Sequence, residues 1–316
     1  MEFGFGAPSR GSQATAENLS ALAARGQELG FDIITVSDHV VIPNNIASRY
    51  PYSENGQFRG AEDYLEQLTT IAYLVGRTSD IRLLTSVLVL PHREPVLTAK
   101  MLATIDVLSG GRLIVGCGVG WMREEFEAIG TPPYEERGAV SDEYVRAFKE
   151  LWTSDEPAFD GRYTSFSDIS FLPKPVQKPH PPIWVGGESP PALRRAARHG
   201  DAWFPIGTNP RHPVRDPDQF AEYVRRIHEY AEEIGRDPSE IDLAYSAPWY
   251  NDREATMVDG KRQVFTGTPD QVAGDIKAFE DVGVRHMMLG FQADTLEGTL
   301  DRMERFANEV KPLAER

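Results

Sequence analysis

The chain has 316 residues, 41% of them hydrophobic, with a formal net charge of −15 and a single cysteine, Cys117. This length permits two domains or one large α/β barrel, and the acidic balance argues against nucleic acid and anionic membrane surfaces as partners. One cysteine excludes an intramolecular disulfide, and no apolar run reaches the roughly 18 residues that a membrane span needs. With no signal-peptide pattern, these features predict a cytoplasmic protein.

Short apolar runs alternate with stretches of helical spacing along the whole chain. The runs are typical of strands covered on both faces, and the 3.6-residue spacing is typical of amphipathic helices. In the first half we predict strands at 3–6, 32–36, 81–90 and 113–116, and helices at 16–29, 61–77, 96–108 and 142–152. In the second half we predict strands at 183–185, 202–205, 241–246 and 286–290, and helices at 191–199, 217–234, 269–282 and 296–310.

Eight strands, each followed by a helix, predict a (β/α)8 TIM barrel in a single domain over 1–316. A doubly wound open sheet shares the alternation and is the alternative. Three irregular stretches, 43–60, 153–182 and 248–266, interrupt the pattern. Long loops in compact domains are often functional, and barrels carry their active sites at the C-terminal face. We therefore expect all three to be insertions at that face.

The end of the second predicted strand holds the sharpest pair of polar residues, Asp38 and His39. An aspartate beside a histidine at a strand end can orient the imidazole, and histidine titrates near neutral pH. The alternative is a structural aspartate that caps the following loop. Because residue type and strand-end position agree, we predict that Asp38 and His39 are catalytic.

Glycine-rich turns follow the fourth and fifth predicted strands. Gly186 and Gly187 precede a helix, whose N-terminus favours a phosphate, although such turns also serve as plain chain reversals. The turn with Gly118 and Gly120 lacks the spacing of a dinucleotide fingerprint, which argues against a Rossmann-type NAD site. Trp121 follows this turn and suits stacking on a planar ring.

The sequence shows no zinc-type ligand spacing, no nucleophile elbow and no catalytic cysteine–histidine pair. Each of these would have been the signature of a metal site or of covalent catalysis. We therefore expect no metal. By elimination, the demanding chemistry falls to an organic cofactor that the protein binds and orients.

Several segments together carry a family resemblance that covers essentially the whole chain. The most specific are TVSDH (35–39), LTSVLVLPHR (84–93), TIDVLSGGR (104–112), GCGVGW (116–121) and WVGG (184–187), joined by 198–205 and 267–272. In these segments the chain resembles the bacterial luciferase-like monooxygenase superfamily. Within it, the chain is most similar to the oxidoreductases that depend on the deazaflavin coenzyme F420.

The resemblance implies a (β/α)8 barrel with Asp38 and His39 beside the deazaflavin ring. It implies a strand bulge at Ser86–Val87, with a cis peptide bond against the far face of that ring. Further implied cofactor-binding residues are Gly118, Gly120 and Trp121 along the ring and ribityl side, and Gly186 and Gly187 at the phosphate. A homodimer is implied by the resemblance as well.

The resemblance leaves three functions open. The first is hydride transfer between coenzyme F420 and a small organic substrate. The second is an FMN-dependent two-component monooxygenase, since FMN is also planar and phosphate-bearing. The third is a non-catalytic flavin-binding protein. The expected partners are a small-molecule substrate and a separate flavin reductase or F420 reductase.

Overall fold

The apolar runs of the sequence form a closed parallel barrel in the computed structural model, which describes residues 1–58, 60 and 63–316. In chain order the barrel strands are Glu2–Gly6, Ile33–Val36, Arg82–Thr85, Leu113–Gly118, Ile183–Gly186, Ala202–Phe204, Asp242–Ala247 and His286–Leu289. Each strand pairs in parallel with the next, and the eighth closes on the first with Met287 opposite Phe3. The predicted (β/α)8 barrel is therefore confirmed, and an open sheet is excluded.

The third strand is shorter than the continuous run 81–90 that the sequence predicted. It stops at Thr85, and the chain resumes pairing at Leu88–Val89, opposite Cys117 and Gly118 of the fourth strand. Between the two pieces, the peptide bond from Ser86 to Val87 is cis. The interruption lies at the C-terminal end of the barrel and turns the Val87 side chain toward its interior.

Helices follow the strands and cover the barrel. They are α1 (Ala16–Glu28), α2 (Gln67–Val75), α3 (Pro95–Ser109), α4 (Arg123–Ile129), α5 (Arg137–Thr153), α6 (Pro190–His199), α7 (Pro217–Glu233), α8 (Pro269–Asp281), α9 (Leu296–Arg305) and α10 (Lys311–Ala314), with a π-helical turn at Phe306–Val310. Helix 61–77 was predicted too long, and its predicted residues Ala61 and Glu62 lie outside the described residues. The short α4 was not predicted.

Local chemistry explains where several helices begin. The hydroxyl of Thr268 accepts the N–H of Gln271, and the Gln271 side chain accepts the N–H of Thr268, which is a complete capping box for α8. Proline occupies the first turn of α3, α6, α7 and α8, where its missing N–H costs nothing. Glu94 caps α3 by accepting two N–H groups at its start.

Two apolar layers hold the barrel together. A small inner cluster fills the barrel interior with Ile33, Leu84, Ile114, Trp184, Ala202, Phe204, Ala244 and Met288, and Val87 packs against it. A larger cluster lies between the outer faces of the strands and the helices. Cys117 belongs to this larger cluster, and burial raises the pKa of its thiol to about 12. It is therefore a small buried apolar residue, inert as a nucleophile at neutral pH.

The insertion 153–182 does not lie where we expected it, over the C-terminal face of the barrel. It connects a helix to the following strand and packs along the outside of α3 and α5. Glu143 of α5 accepts the N–H groups of 162–164, and Asp106 of α3 accepts those of 176–177. The physical reason is that these two buried carboxylates hold the segment against the flank of the barrel.

Candidate active site

Small residues line the C-terminal mouth of the barrel. Since side chains alternate along a strand, the inward positions above the inner cluster include Gly6, Thr35, Gly118, Gly186, Ile206, Ser246 and Gly290. Four of these seven positions lack a side chain. The strands therefore contribute few side chains to the end of the barrel where (β/α)8 enzymes carry their active sites.

Val87 forms the floor of the mouth between two of the predicted glycines. A Cβ added at Gly118 would lie 2.4 Å from Cγ2 of Val87, and one added at Gly186 would lie 3.1 Å from Cγ1. Side chains at these positions would therefore collide with Val87 or crowd it. The predicted residues Ser86, Val87, Gly118 and Gly186 thus lie close together.

Gly120 shapes the turn after the fourth strand rather than the surface around Val87. Its φ of +81° is in the left-handed region that glycine favours. A Cβ there would approach Phe126 and Val89, and its carbonyl oxygen accepts Nε–H of Arg137 at 3.2 Å. This conformation carries the chain from the fourth strand to Trp121.

Asp38 is buried, and its carboxylate is hydrogen-bonded to other protein groups. Its carboxylate accepts two hydrogen bonds from Arg93, at 2.7 and 2.8 Å, and one from the N–H of Val89 at 2.9 Å. Glu66 also accepts from Arg93, at 2.8 Å. These contacts tie the ends of strands two and three to the start of α2, so the geometry supports Asp38 as a structural carboxylate beside the site.

His39 is held by a glutamate that the sequence analysis did not select. Its Nδ1 lies 2.7 Å from Oε2 of Glu125 on α4, and Glu125 is 1% exposed. Burial alone would raise the pKa of the Glu125 carboxyl, but the hydrogen bond and charge of His39, the charge of His92 and the N–H of Val40 keep that pKa below its ordinary value. Glu125 is therefore a carboxylate at neutral pH.

A second buried imidazole, His92, lies on the other side of this carboxylate. Its Nδ1 is 3.9 Å from Oε1 of Glu125, and its ring packs edge-on against Phe126. Burial lowers the pKa of His92 despite the carboxylates of Glu125 and Asp38 nearby. Within the described part of the chain, neither of its ring nitrogens has a hydrogen-bond partner.

Aromatic rings surround His39 at the mouth. Phe58 and Tyr64 lie 5.2 Å from the imidazole between ring centroids, and Trp121 lies 6.3 Å away. Tyr50 and Phe58 in turn contact Trp121, at 5.0 and 5.1 Å. Trp121 therefore lies near His39 in a mainly apolar wall, to which 43–58 contributes Tyr50 and Phe58.

The Gly186–Gly187 turn leads into α6. Gly187 has a φ of +102°, and its carbonyl oxygen accepts Nε1–H of Trp203 at 2.9 Å, which fixes the turn. Ser189 is the N-cap of α6, and its hydroxyl makes no capping hydrogen bond. The backbone N–H groups of the turn and this hydroxyl are donors suited to a phosphate.

Glu188 follows this turn but points away from it. Its carboxyl is 1% exposed and accepts the N–H of Ile206 at 2.8 Å and Nδ2–H of Asn209 at 2.7 Å. Burial raises the pKa of Glu188 to about 7, although these two hydrogen bonds act in the opposite direction. The side chain joins the end of the fifth strand to the loop after the sixth.

The segment 43–58 crosses the barrel mouth. It begins after the second strand, and its Glu54 forms an ion pair with Arg215, which follows the sixth strand. In a closed barrel of eight strands the second and sixth lie opposite each other. Arg215 also lies 3.5 Å from Asp259 at the tip of a hairpin in 248–266. Both insertions therefore meet over the mouth.

The parts together define a class of protein: a (β/α)8 barrel with a buried histidine–carboxylate pair at its C-terminal mouth. No group of three or more potential metal ligands occurs among the described residues. The same residues include no helix long and apolar enough to cross a membrane. Residues 1–259 match the family model of the luciferase-like monooxygenases, and the chain belongs to that family.

The proteins that the chain resembles include an FMNH2-dependent enzyme and a coenzyme F420-dependent enzyme. It is 32% identical over 300 residues to an FMNH2-dependent dimethylsulfone monooxygenase of Pseudomonas putida, covering 80% of each chain. A monooxygenase of Streptomyces bottropensis has the same fold, with a TM-score of 0.76, 24% identity and 99% of each chain covered. The coenzyme F420-dependent tetrahydromethanopterin reductase of Methanopyrus kandleri also has a TM-score of 0.76, with 18% identity and 98% of each chain covered.

Proposed function

We propose that the protein transfers a hydride between coenzyme F420 and a small, uncharged organic substrate. The observation that carries the proposal is the pair His39–Glu125, a buried imidazole and carboxylate beside a glycine-lined barrel mouth. Hydride transfer to or from an alcohol or carbonyl moves one proton as well. A histidine held by a carboxylate can accept and return that proton near neutral pH.

Two features of the mouth support this cofactor. Val87, with Gly118 and Gly186 beside it, offers the surface for the flat deazaflavin ring. The N–H groups after Gly186 and the hydroxyl of Ser189 offer donors for its phosphate. The bound deazaflavin supplies or accepts the hydride, and the protein holds it and excludes water.

In this proposal His39 accepts and returns the proton of the substrate hydroxyl. As a hydride leaves the carbinol carbon of the substrate, Nε2 of His39 accepts the hydroxyl proton and a carbonyl forms. In the opposite direction Nε2 returns the proton to the carbonyl oxygen as the hydride arrives at carbon. The apolar rings of Tyr50, Phe58 and Trp121 around this imidazole favour an uncharged substrate.

A second candidate is an FMN-dependent monooxygenase that receives reduced flavin from a separate reductase. The observation in its favour is the 32% identity to an FMNH2-dependent monooxygenase. The same floor and phosphate donors suit FMN, so oxygen use is the property that separates the two candidates.

The test is a titration of the purified protein with oxidised F420 and, separately, with FMN, followed by tryptophan fluorescence. Trp121→Phe, with the other four tryptophans retained, shows whether any quenching comes from the site. Micromolar binding of F420 alone supports hydride transfer. Binding of FMN alone contradicts hydride transfer from F420 and supports the monooxygenase. Binding of neither cofactor contradicts both.

A turnover assay follows on whichever cofactor binds. His39→Ala should lower kcat at least about tenfold while the far-ultraviolet circular dichroism and the unfolding midpoint stay close to wild type. Unchanged kinetics would remove His39 from the mechanism.

A further inference from the structure

The two nitrogens of the His39 ring have different surroundings. Nδ1 contacts Oε2 of Glu125 at 2.7 Å, whereas Nε2, on the opposite edge of the ring, has no hydrogen-bond partner among the described residues. The groups that face the ring from neighbouring elements are Glu125, Tyr64, Phe58 and Trp121. Of these, Glu125 alone carries a charge at neutral pH, so it determines which nitrogen bears the hydrogen.

Backbone contacts fix the orientation of the Glu125 carboxylate. Its Oε1 accepts the N–H of Val40 at 2.7 Å and that of Val41 at 3.3 Å, which leaves Oε2 for His39. The carboxylate cannot rotate without losing both backbone hydrogen bonds. Because an ionised carboxylate only accepts, the ring nitrogen facing it must donate.

We propose that Glu125 is a positioning residue that keeps the hydrogen on Nδ1 of His39 and so leaves Nε2 as the proton acceptor. The expected effect of Glu125 on turnover rests on the proposed function above. Its effect on the His39 tautomer does not, because the histidine adopts that tautomer without cofactor or substrate.

The variant Glu125→Gln provides a sharp test, since it changes the chemistry at nearly constant shape. The N–H groups of Val40 and Val41 require an acceptor at the Oε1 position, so the amide oxygen of the glutamine should occupy it. The amide NH2 group then faces Nδ1 of His39 and donates to it. The imidazole must therefore accept at Nδ1 and carry its hydrogen on Nε2, which inverts the tautomer.

The measurement is 15N NMR of histidine-labelled protein without cofactor, at a pH where imidazoles are neutral. The chain has seven histidines, so the signals of His39 are identified by their loss in His39→Gln. We expect the Nδ1–H tautomer in wild type and the Nε2–H tautomer in Glu125→Gln. The control, Glu127→Gln, changes an exposed glutamate of the same helix and should match wild type.

Two results would overturn the proposal: an Nε2–H tautomer in the wild-type protein, or an unchanged Nδ1–H tautomer in Glu125→Gln. The wild-type spectrum tests the proposal by itself if the variant does not fold. With the bound cofactor, Glu125→Gln should lower kcat about 100-fold with little change in KM. The double variant that also carries His39→Gln should have a kcat only slightly lower than that of Glu125→Gln. An inverted tautomer with unchanged kcat would uphold the positioning role and contradict the proposed proton transfer.

Discussion

Arg93 holds the carboxylate of Asp38 with two hydrogen bonds, and the Asp38 side chain is fully buried beneath it. Hydrogen bonds to Asp38 and Glu66 raise the pKa of Arg93 although its burial acts in the opposite direction. A two-point contact of this kind is typical of structural ion pairs between arginine and carboxylates. The pair ties the loop that carries His39 to the loop after the third strand, and it therefore fixes the position of the imidazole.

Asp38→Asn should lower the free energy of unfolding by about 3 kcal/mol, because it leaves the buried Arg93 charge without its main partner. Urea unfolding at pH 7 measures the change. Glu66→Gln is the control, since Glu66 is more exposed and contacts the same arginine. If Asp38→Asn instead abolished turnover at wild-type stability, Asp38 would be catalytic rather than structural.

Gly118→Ala should weaken cofactor binding at least tenfold, because its Cβ would meet Val87 at 2.4 Å and force the floor of the site to shift. Fluorescence titration with F420 or FMN measures the loss. The matched control is Gly274→Ala in α8, where a Cβ meets nothing within 4 Å. That substitution should leave binding unchanged and add up to about 1 kcal/mol of stability. Equal binding by both variants would mean that the ring lies elsewhere.

Glu188 should make the protein less stable as pH rises from about 4.5 to 7. Burial raises the pKa of this carboxyl from 4.5 to about 7, so over that range the folded state holds a proton that the unfolded state releases. The stability that this proton provides is complete below pH 4.5 and lost by pH 7, at a cost of about 3 kcal/mol.

The comparison of Glu188→Gln with wild type isolates this contribution. The difference in unfolding free energy between the two proteins, measured in urea at pH 5 and pH 7.5, should shift in favour of the variant at the higher pH. The exposed substitution Glu127→Gln corrects for the change in net charge. A difference that is independent of pH would show that Glu188 has the same pKa in both states.

Arg215→Ala should loosen 43–58 without changing global stability. Arg215 joins Glu54 and Asp259 across the mouth, and exposed ion pairs contribute at most about 1 kcal/mol. Hydrogen exchange of the amides in 43–58 should therefore accelerate, and 0.5 M NaCl should produce part of the same effect in wild type. Arg25→Ala, which removes a surface ion pair with Glu28 on α1, should leave that exchange unchanged. Equal rates in the two variants would show that the segment is held by its aromatic contacts alone.

The fold could be predicted because its signals are local. Buried runs, helical spacing and glycine or proline at helix ends report which residues are covered, and eight repeats of one unit leave a barrel as the natural closure. The glycines at 118 and 186 were also readable, since they occupy strand ends at the predicted active face. The boundary of α2 was not, because it depends on contacts with distant segments. The break at Ser86 was implied by the family resemblance, whereas the apolar run 81–90 alone predicted one continuous strand.

The sequence by itself determined the eight strand–helix units, the strand ends that form the site, and the position of His39 among them. The tertiary structure alone decided which charges meet there. Glu125 reaches His39 across 86 positions of sequence, and Arg93 reaches Asp38 across 55. The tertiary structure also placed 153–182 on the flank of the barrel, where the carboxylates of Glu143 and Asp106 hold it. Periodicity records whether a residue is buried, but barrel closure and helix docking determine which buried groups are in contact.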